Sequence, residues 1–482
     1  MKHRKRKEVL TKMTNVIKGI KNERPFYYFE EISKIPRGSG NEKEIANYIV
    51  DFAKKHKLPA YIDEANNVLI TKNATQGREN DLGVMLQAHT DMVCEKDLAT
   101  KHDFSSEPIE LIQEGNILRA DGTTLGADDG FGVAIIMAML AEKEISTPKV
   151  ECLFTSSEEI GLVGASKFDY SKIESRRMIN LDSAEEDTVI IGCCGGIRTE
   201  LTLPVTFENG NFKGYKLTIG GLCGGHSGED IDKGRLNAHI LMGKLLSAVN
   251  EDSAIRLSYI SGGDKDNAIP RECEAIFACD RIDIDLEAYA CSFLRATEDG
   301  GLFVKVDTAS FDKAMSYEDT EKVLKVLDLR NAVMYYRTVA PILPETSRNL
   351  ARIRTNENEI AIGFSSRSYL EERLNESTNE LDKLAKEIGS STYHHEKYPG
   401  WASDKESKLV VDYQNAFYKV AGKRPEATLI HAGLECGLIS GALEGLVAIS
   451  VGCNVHDLHT PKETMELDSM DRVYEAVIEV LK

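Results

Sequence analysis

The sequence lacks the features that would bring it to a membrane or to nucleic acid. None of its apolar runs reaches the roughly 18 residues that a membrane-spanning helix needs. Basic residues are in the minority, because 59 Lys and Arg stand against 78 Asp and Glu and give a net charge of −19. A surface this acidic repels the phosphates of nucleic acids and of anionic lipids. We therefore expect no nucleic acid and no membrane among its partners.

Motifs built from cysteine are also missing. The ten cysteines include no CxxC pair, so zinc bound by thiolates is not expected. Disulfide frameworks are typical of short secreted chains, and the N-terminal segment MKHRKRKEVLTKM is basic without the apolar stretch of a secretory signal. We expect free thiols, a cytoplasmic location and a disordered basic extension over residues 1–24.

The composition is that of a globular protein, and predicted strands alternate with predicted helices along much of the chain. Its 482 residues, 42% hydrophobic and 28% charged, predict two domains with sizeable cores. Over residues 25–196 and again over 399–482, apolar strand candidates alternate with helices, which predicts an α/β domain with a mixed sheet flanked by helices. Between residues 197 and 398 the pattern changes to two blocks, in each of which an alternating strand precedes an amphipathic helix. This change predicts an inserted α+β domain.

Side chains that can bind metal follow the predicted strands of the α/β regions or lie near the C-terminus. They are His89, Asp91, Asp128, Asp129, Glu158, Glu159, Asp182 and His459. Ligands of α/β sheets gather at the carboxyl ends of strands, where an unpaired buried charge would be costly. Imidazole and carboxylate without thiolate form a ligand set suited to zinc, with manganese or cobalt as substitutes.

A metal site of this kind predicts hydrolytic chemistry. One shared carboxylate can bridge two ions held roughly 3.5–4 Å apart, which polarise an amide carbonyl and lower the pKa of a bridging water. A free carboxylate beside the ions can then act as the general base. Each motif alone is weak evidence, since acidic loops and paired glutamates are usually solvated. Their order along the chain, after apolar strands, favours the metal site.

Several of these segments together resemble one enzyme family. AHTDMV, TTLGADDGFGVA, SSEEIGLVGA, NLDS and LHTPKE closely resemble motifs of the M20 metallopeptidase family, and within it those of the aminoacyl-histidine dipeptidase branch. The likeness extends to HDF, GGHSGEDIDKGRLNA, GGDKDNAIPRE and HAGLECGL, and covers nearly the whole chain from about residue 25. It implies a zinc-peptidase catalytic domain, residues 25–196 plus 399–482, interrupted by a lid domain over residues 197–398.

The resemblance also implies a role for each motif residue. The implied ligands of two zinc ions are His89 and Asp182 on one ion, Glu159 and His459 on the other, and Asp128 as the bridge. Asp91 would orient the His89 ring, and Glu158 would act as the general base that passes a proton from the water to the leaving amine. Ser157 and Asp129 depart from the usual family residues without touching an implied ligand. His456 lies close to His459, but only the latter has the family's H-T-P context.

Three residues of the inserted domain are candidates for contact with the substrate. His226 lies in a glycine-rich loop, GGHSG, and the resemblance implies that it stabilises the tetrahedral oxyanion. Arg271 and Asn237 could clasp a carboxylate or carbonyl group of the substrate. It stays open whether His226 acts in its own subunit or in a partner, and the second case requires a homodimer through the lid domain.

The function that the resemblance implies is the hydrolysis of dipeptides, of the Xaa-His type or of broad specificity. An N-acyl amino acid amidohydrolase would use the same metals on a different amide, and a carboxypeptidase or tripeptide aminopeptidase would differ in its pocket. A non-catalytic metal-binding protein is a further alternative. Glu158 disfavours it, because the metals do not need that residue as a ligand.

Overall fold

The computed structural model of the chain describes residues 16–337 and 343–482. Its strands are β1 (Ala60–Ile62), β2 (Val68–Lys72), β3 (Val84–His89), β4 (Leu111–Glu114), β5 (Ile117–Ala120), β6 (Val150–Thr155), β7 (Arg177–Asn180), β8 (Thr188–Cys193), β9 (Gly195–Pro204), β10 (Phe207–Gly220), β11 (Gly225–His226), β12 (Arg256–Gly262), β13 (Ala268–Ile269), β14 (Cys273–Ala278), β15 (Phe303–Met315), β16 (Ala332–Tyr336), β17 (Pro344–Thr355), β18 (Glu359–Ser368), β19 (Ser391–Tyr398), β20 (Trp401–Ala402), β21 (Glu426–Ile430), β22 (Val447–Ser450), β23 (Val455–His456) and β24 (Thr464–Glu466).

The α-helices of the described residues lie between and after these strands. They are α1 (Glu23–Ile32), α2 (Lys43–His56), α3 (Ala127–Ala141), α4 (Val163–Lys167), α5 (Ala238–Asp252), α6 (Leu286–Cys291), α7 (Tyr317–Leu327), α8 (Glu371–Ile388), α9 (Lys408–Ala421), α10 (Glu435–Ala442) and α11 (Leu467–Leu481). In this part of the chain, no helix combines the length and the apolar character that crossing a membrane requires.

These elements form two units, each with its own hydrophobic core. The first unit contains the described residues up to Cys193 together with Trp401–Leu429 and Leu434–Lys482. The second contains Cys194–Gly400 and the short segment Ile430–Gly433.

A mixed nine-stranded sheet forms the centre of the first unit. Its strand order is β1-β2-β6-β3-β7-β22-β8-β20, with β21 beside β8. The four strands β6, β3, β7 and β22 run parallel, while β1, β2 and β20 pair in the antiparallel sense. Every residue of β3 and of β6 is buried, as expected for parallel strands at the centre of an α/β sheet. Consequently, the carboxyl ends of β3, β6 and β7 lie side by side.

The apolar sequence after the GADDG turn forms a buried helix. All residues of α3 except Asp128 are buried, and the helix packs against α1 and β3. Asp128 and Asp129 have non-helical backbone angles, so the helix is regular only after them. The acidic pair therefore sits in a bend at the sheet edge rather than on a helical surface.

The second unit contains an antiparallel nine-stranded sheet. Its strand order is β15-β10-β14-β12-β17-β18-β9-β19, with β16 beside β17. The helices α5, α7 and α8 bury their apolar faces in the core of this unit. The predicted fold class, an α/β domain interrupted by an inserted α+β domain, is confirmed.

Part of the segment predicted to be a disordered extension lies within the described residues. Residues 1–15 lie outside the described residues, but Ile17 is buried and its backbone N–H donates to the Glu30 carboxylate at 2.7 Å. The helix α1 begins at Glu23. The first unit thus includes residues before 25, because the Ile17 side chain packs in its core. All ten cysteines lie within the described residues, and none of them forms a disulfide there.

Candidate metal centre

Three neighbouring strand ends bring the predicted ligands of the first unit together. His89 is the last residue of β3, Asp182 follows β7 after one residue, and the pair Glu158 and Glu159 follows β6. The bend before α3 adds Asp128 from the loop side. The parallel pairing of these strands thus converts residues far apart in sequence into one cluster.

Asp128 is shared by two groups of side chains that could each hold a metal ion. One group is His89, Asp128 and Asp182, and the other is Asp128, Glu159 and His459. The Oδ1 atom of Asp128 lies 2.9 Å from His89 Nε2, whereas its Oδ2 atom lies 3.1 Å from His459 Nε2. A carboxylate can bridge two ions by directing one oxygen to each, and the two Asp128 oxygens do face different partners.

The two C-terminal histidines have different surroundings. His459 Nε2 lies 3.1 Å from Asp128 Oδ2 and 3.1 Å from Glu159 Oε1. His456 instead faces away from these carboxylates to Glu466, whose Oε1 lies 3.0 Å from His456 Nε2. The H-T-P context therefore selects the histidine that faces the cluster.

Asp91 lies behind the His89 ring. Its Oδ1 is 3.4 Å from His89 Nδ1, so the opposite nitrogen of the ring, Nε2, faces Asp128 and Asp182. Asp91 also accepts hydrogen bonds from the backbone N–H groups of Glu158 and Glu159, at 2.9 and 3.2 Å. One buried carboxylate thus orients both the imidazole and the loop that carries the two glutamates.

Glu158 also lies within reach of the cluster. It forms a third group of possible metal ligands with His89 and Glu159. Burial raises the pKa of Glu158 well above its ordinary value, and the neighbouring Glu159 and Asp182 carboxylates add to the effect. A carboxylate whose pKa is raised in this way is suited to accept a proton near neutral pH.

The electrostatics of the cluster favour additional positive charge. Burial raises the pKa of Asp182 to about 7, and it raises that of Glu159 as well. Burial opposes charge on His459, but hydrogen bonds to Asp128 and Glu159 raise its pKa to about 11. Within the described residues, no lysine or arginine forms an ion pair with these carboxylates. The donor set, made of imidazole nitrogen and carboxylate oxygen, fits zinc or a similar divalent ion.

Asp129, next to the shared carboxylate, has a different role. Its Oδ2 accepts from the His89 backbone N–H at 3.1 Å and its Oδ1 accepts from the Gly132 N–H at 3.1 Å. The fully buried Asp129 side chain thus ties the end of β3 to the start of α3. It is a structural link rather than a ligand.

A buried polar network below the strand ends was missed by sequence reasoning. The Glu435 carboxylate accepts hydrogen bonds from Gln87 and from Thr155, and Asn180 donates to Gln87 at 2.6 Å. All four side chains are buried, and burial raises the pKa of Glu435 to about 7. The sequence did contain a signal for this network, because Gln87, Thr155 and Asn180 are polar residues within the largely apolar strands β3, β6 and β7.

The second unit places His226 beside a buried arginine. His226 pairs in the short ladder of β11 and β13, and its Nε2 lies 3.4 Å from Arg367 Nη2. Arg367 is 7% exposed and donates to the Tyr398 hydroxyl at 2.7 Å. Sequence reasoning missed Arg367, although a charge inside the strand sequence GFSSRS was the signal for it.

The two other candidates in the second unit are Asn237 and Arg271, and their contacts are with neighbouring residues of that unit. Asn237 caps α5, because its side chain accepts from the N–H groups of His239 and Ile240 at 2.9 and 3.3 Å. Its amide nitrogen donates to Asn349 and to the Leu350 carbonyl, both at 2.9 Å. Arg271 is exposed and lies over Gly224, where its stem leaves no room for a larger side chain. A substrate contact by either residue stays a prediction.

Comparison with known proteins adds to this geometry. The sequence profile described as Peptidase family M20/M25/M40 matches residues 85–482. The cytosol non-specific dipeptidase of Escherichia coli (strain K12) is 34% identical over 466 residues, which is 94% of this chain and 96% of that protein.

Solved structures resemble the chain over nearly its full length. The aminoacylhistidine dipeptidase of Vibrio alginolyticus is 32% identical, with a TM-score of 0.79 over 95% of this chain and 96% of that one. A tripeptidase of Staphylococcus aureus is 17% identical, with a TM-score of 0.57 over 96% and 98% of the two chains, and this likeness shows the fold alone.

Proposed function

This chain belongs to peptidase family M20/M25/M40 and hydrolyses peptide bonds, and from that premise we propose that it is a cytoplasmic dipeptidase that works with two zinc ions. Two relatives more than 30% identical over nearly the whole chain are both named as dipeptidases, and this supports the choice of substrate class. The name of one of them includes the cytosol, which supports the proposed location. Their names differ on side-chain preference, non-specific in one case and aminoacylhistidine in the other.

The observation that carries the proposal is the position of Asp128. Its two oxygens face two separate imidazoles, and each imidazole has a further carboxylate beside it. We propose that His89 and Asp182 hold one ion, that Glu159 and His459 hold the other, and that Asp128 bridges them. Ions bound there would polarise the scissile carbonyl and lower the pKa of a water between them.

The protein residues around the ions would orient groups and move a proton. Asp91 holds the His89 ring in the orientation that exposes Nε2 to the cluster. Glu158 would accept the proton of the attacking water and deliver it to the leaving amine, since its raised pKa suits both transfers. His226 is proposed as the donor to the oxyanion, in its own subunit or in a partner of a homodimer.

A panel of substrates tests the proposed activity. The purified protein is incubated with Xaa-His dipeptides, other dipeptides, β-alanyl-histidine, tripeptides and N-acetyl amino acids, each with zinc and with chelator. We expect rapid cleavage of the α-dipeptides with zinc and little cleavage of tripeptides. Faster hydrolysis of N-acetyl amino acids than of any dipeptide would contradict the proposal and favour an amidohydrolase of the same family.

A further inference from the structure

A buried glutamate holds the loop that carries the shared aspartate. The Glu463 carboxylate accepts four backbone hydrogen bonds: Leu125 N–H at 2.8 Å, Gly126 at 3.0 Å, Ala127 at 2.8 Å and Asp128 at 3.3 Å. Its side chain is 2% exposed, so these N–H groups take the place of water around the charge. Both carboxylate oxygens are used, and each accepts from two consecutive residues.

A buried arginine, Arg37, donates a hydrogen bond to a backbone carbonyl of the same loop. Arg37 Nη2 donates to the Gly126 carbonyl, and Nη1 donates to the carbonyls of Thr90 and Asp91 at 3.1 and 3.0 Å. The Arg37 side chain is also 2% exposed. Gly126 has a φ of +68°, and a Cβ atom there would lie 2.6 Å from Arg37 Nη2. The loop thus has no room for a side chain at Gly126, where the Arg37 guanidinium contacts it.

Together these two residues link the Asp128 loop to two of the segments around the shared aspartate. Arg37 joins the Asp128 loop to the segment after β3, which contains Asp91. Glu463 joins that loop to the segment of His459, four residues earlier in the chain. Asp128 and Asp129 depart from helical angles, so the loop conformation is not maintained by the helix that follows. Its position depends on side chains outside it.

We infer that Glu463 and Arg37 are positioning residues that fix the Asp128 carboxylate between the two groups of metal ligands. The inference rests on the proposed metal site. Neither residue is expected to touch an ion or the substrate. Their role is to hold the loop in one position, so that the two Asp128 oxygens stay directed at different partners.

The test compares Glu463→Gln with a matched control, Glu151→Gln. Glu151 is also buried, and its carboxylate accepts from the backbone N–H groups of Glu174 and Ser175, at the opposite end of β6 from the cluster. Glutamine has one acceptor oxygen instead of two and presents N–H groups to the N–H donors. Zinc affinity of the metal-free proteins is measured by competition with a chelator, together with the unfolding midpoint and kcat on a dipeptide.

We expect Glu463→Gln to lower zinc affinity by about 10–100-fold, the range for lost partners of metal ligands, while Glu151→Gln leaves zinc affinity unchanged. Arg37→Lys keeps the charge but replaces the planar guanidinium, whose two terminal nitrogens bond two separate segments, by a single ammonium nitrogen. It is expected to lower zinc affinity in the same way. Wild-type affinity in both Glu463→Gln and Arg37→Lys, or an equal loss in Glu151→Gln, would overturn the inference. Should Glu463→Gln fail to fold, zinc affinity is measured in Arg37→Lys and Glu463→Asp instead, and wild-type affinity in both would overturn the inference. A wild-type protein that binds no pair of ions would instead refute the proposed function.

Discussion

At the strand ends of the first unit, carboxylates face one another and two imidazoles, whereas in the inserted unit Asn237 is bonded to the backbone around it. Burial raises the pKa of Asp182 to about 7 and that of Glu158 well above its ordinary value. Asn237 instead has its oxygen and its amide nitrogen engaged in capping α5 and in bonding β17. Among the described residues, buried carboxylates without a lysine or arginine partner, rather than polar side chains in general, therefore distinguish the proposed site from the surroundings of Asn237.

The largest effect is expected from removing the proposed base. Glu158→Gln should retain the fold and both ions but lower kcat by about 10²–10⁴-fold, because the amide cannot accept the proton of the water. Metal analysis and steady-state kinetics on a dipeptide measure the two quantities. Loss of an ion would make Glu158 a ligand, and near-normal turnover would remove it from the mechanism.

A somewhat smaller effect is expected at His226, which tests whether the inserted unit takes part in the chemistry. His226→Ala should leave metal content unchanged and reduce kcat by about 10²–10³-fold, the cost of losing one preorganised donor to an oxyanion. Arg271→Ala is the matched variant in the same unit, with a smaller expected change. An unaffected kcat in His226→Ala would mean that this histidine only shapes its turn.

The buried Glu435 gives a prediction about pH rather than about rate. Burial raises its pKa from 4.5 to about 7, so the folded chain retains a proton that the unfolded chain releases. The stabilisation from that proton is complete below pH 4.5 and is lost as the pH rises through about 7. Glu435→Gln should remove this loss, which is on the order of 3 kcal/mol in the free energy of unfolding.

Chemical denaturation of the metal-free proteins between pH 4.5 and 8 measures this difference. Glu151→Gln is again the control, because hydrogen bonds and the Lys149 ammonium overcome burial and lower the pKa of Glu151. Parallel pH profiles of wild type and Glu435→Gln would contradict the role of burial at this position.

The smallest effect is expected from replacing Asn237. A role in capping α5 predicts a loss of stability, whereas a role in binding the substrate predicts a rise in KM. Asn237→Ala removes the cap of α5 and should lower the free energy of unfolding by about 0.5–2 kcal/mol with little change in KM. Thermal denaturation and kinetics separate the two readouts. A large rise in KM without loss of stability would instead favour the predicted contact with the substrate.

The sequence contained enough information to predict the fold class and to identify the residues that meet at the strand ends. Short motifs carry that information together: each is weak alone, but the segments of His89, Asp128 and His459 in combination resemble those of one enzyme family. Glu463, Arg37 and Glu435 could not be assigned in this way, because their roles lie in bonds to the backbone and to side chains of distant segments. The place of Ile17 in the core of the first unit could not be assigned either, since one apolar side chain leaves no periodic pattern.

Metal stoichiometry against activity tests the central claim most directly. Protein freed of metal by exhaustive chelation is titrated with zinc, and bound metal and dipeptide hydrolysis are measured at each step. Because Asp128 is shared by two groups of side chains that could each hold an ion, hydrolysis should be negligible in the metal-free protein and should reach its plateau at about two ions per chain. Full hydrolysis in protein confirmed to be metal-free, or a plateau at one ion with no second ion bound, would contradict the account.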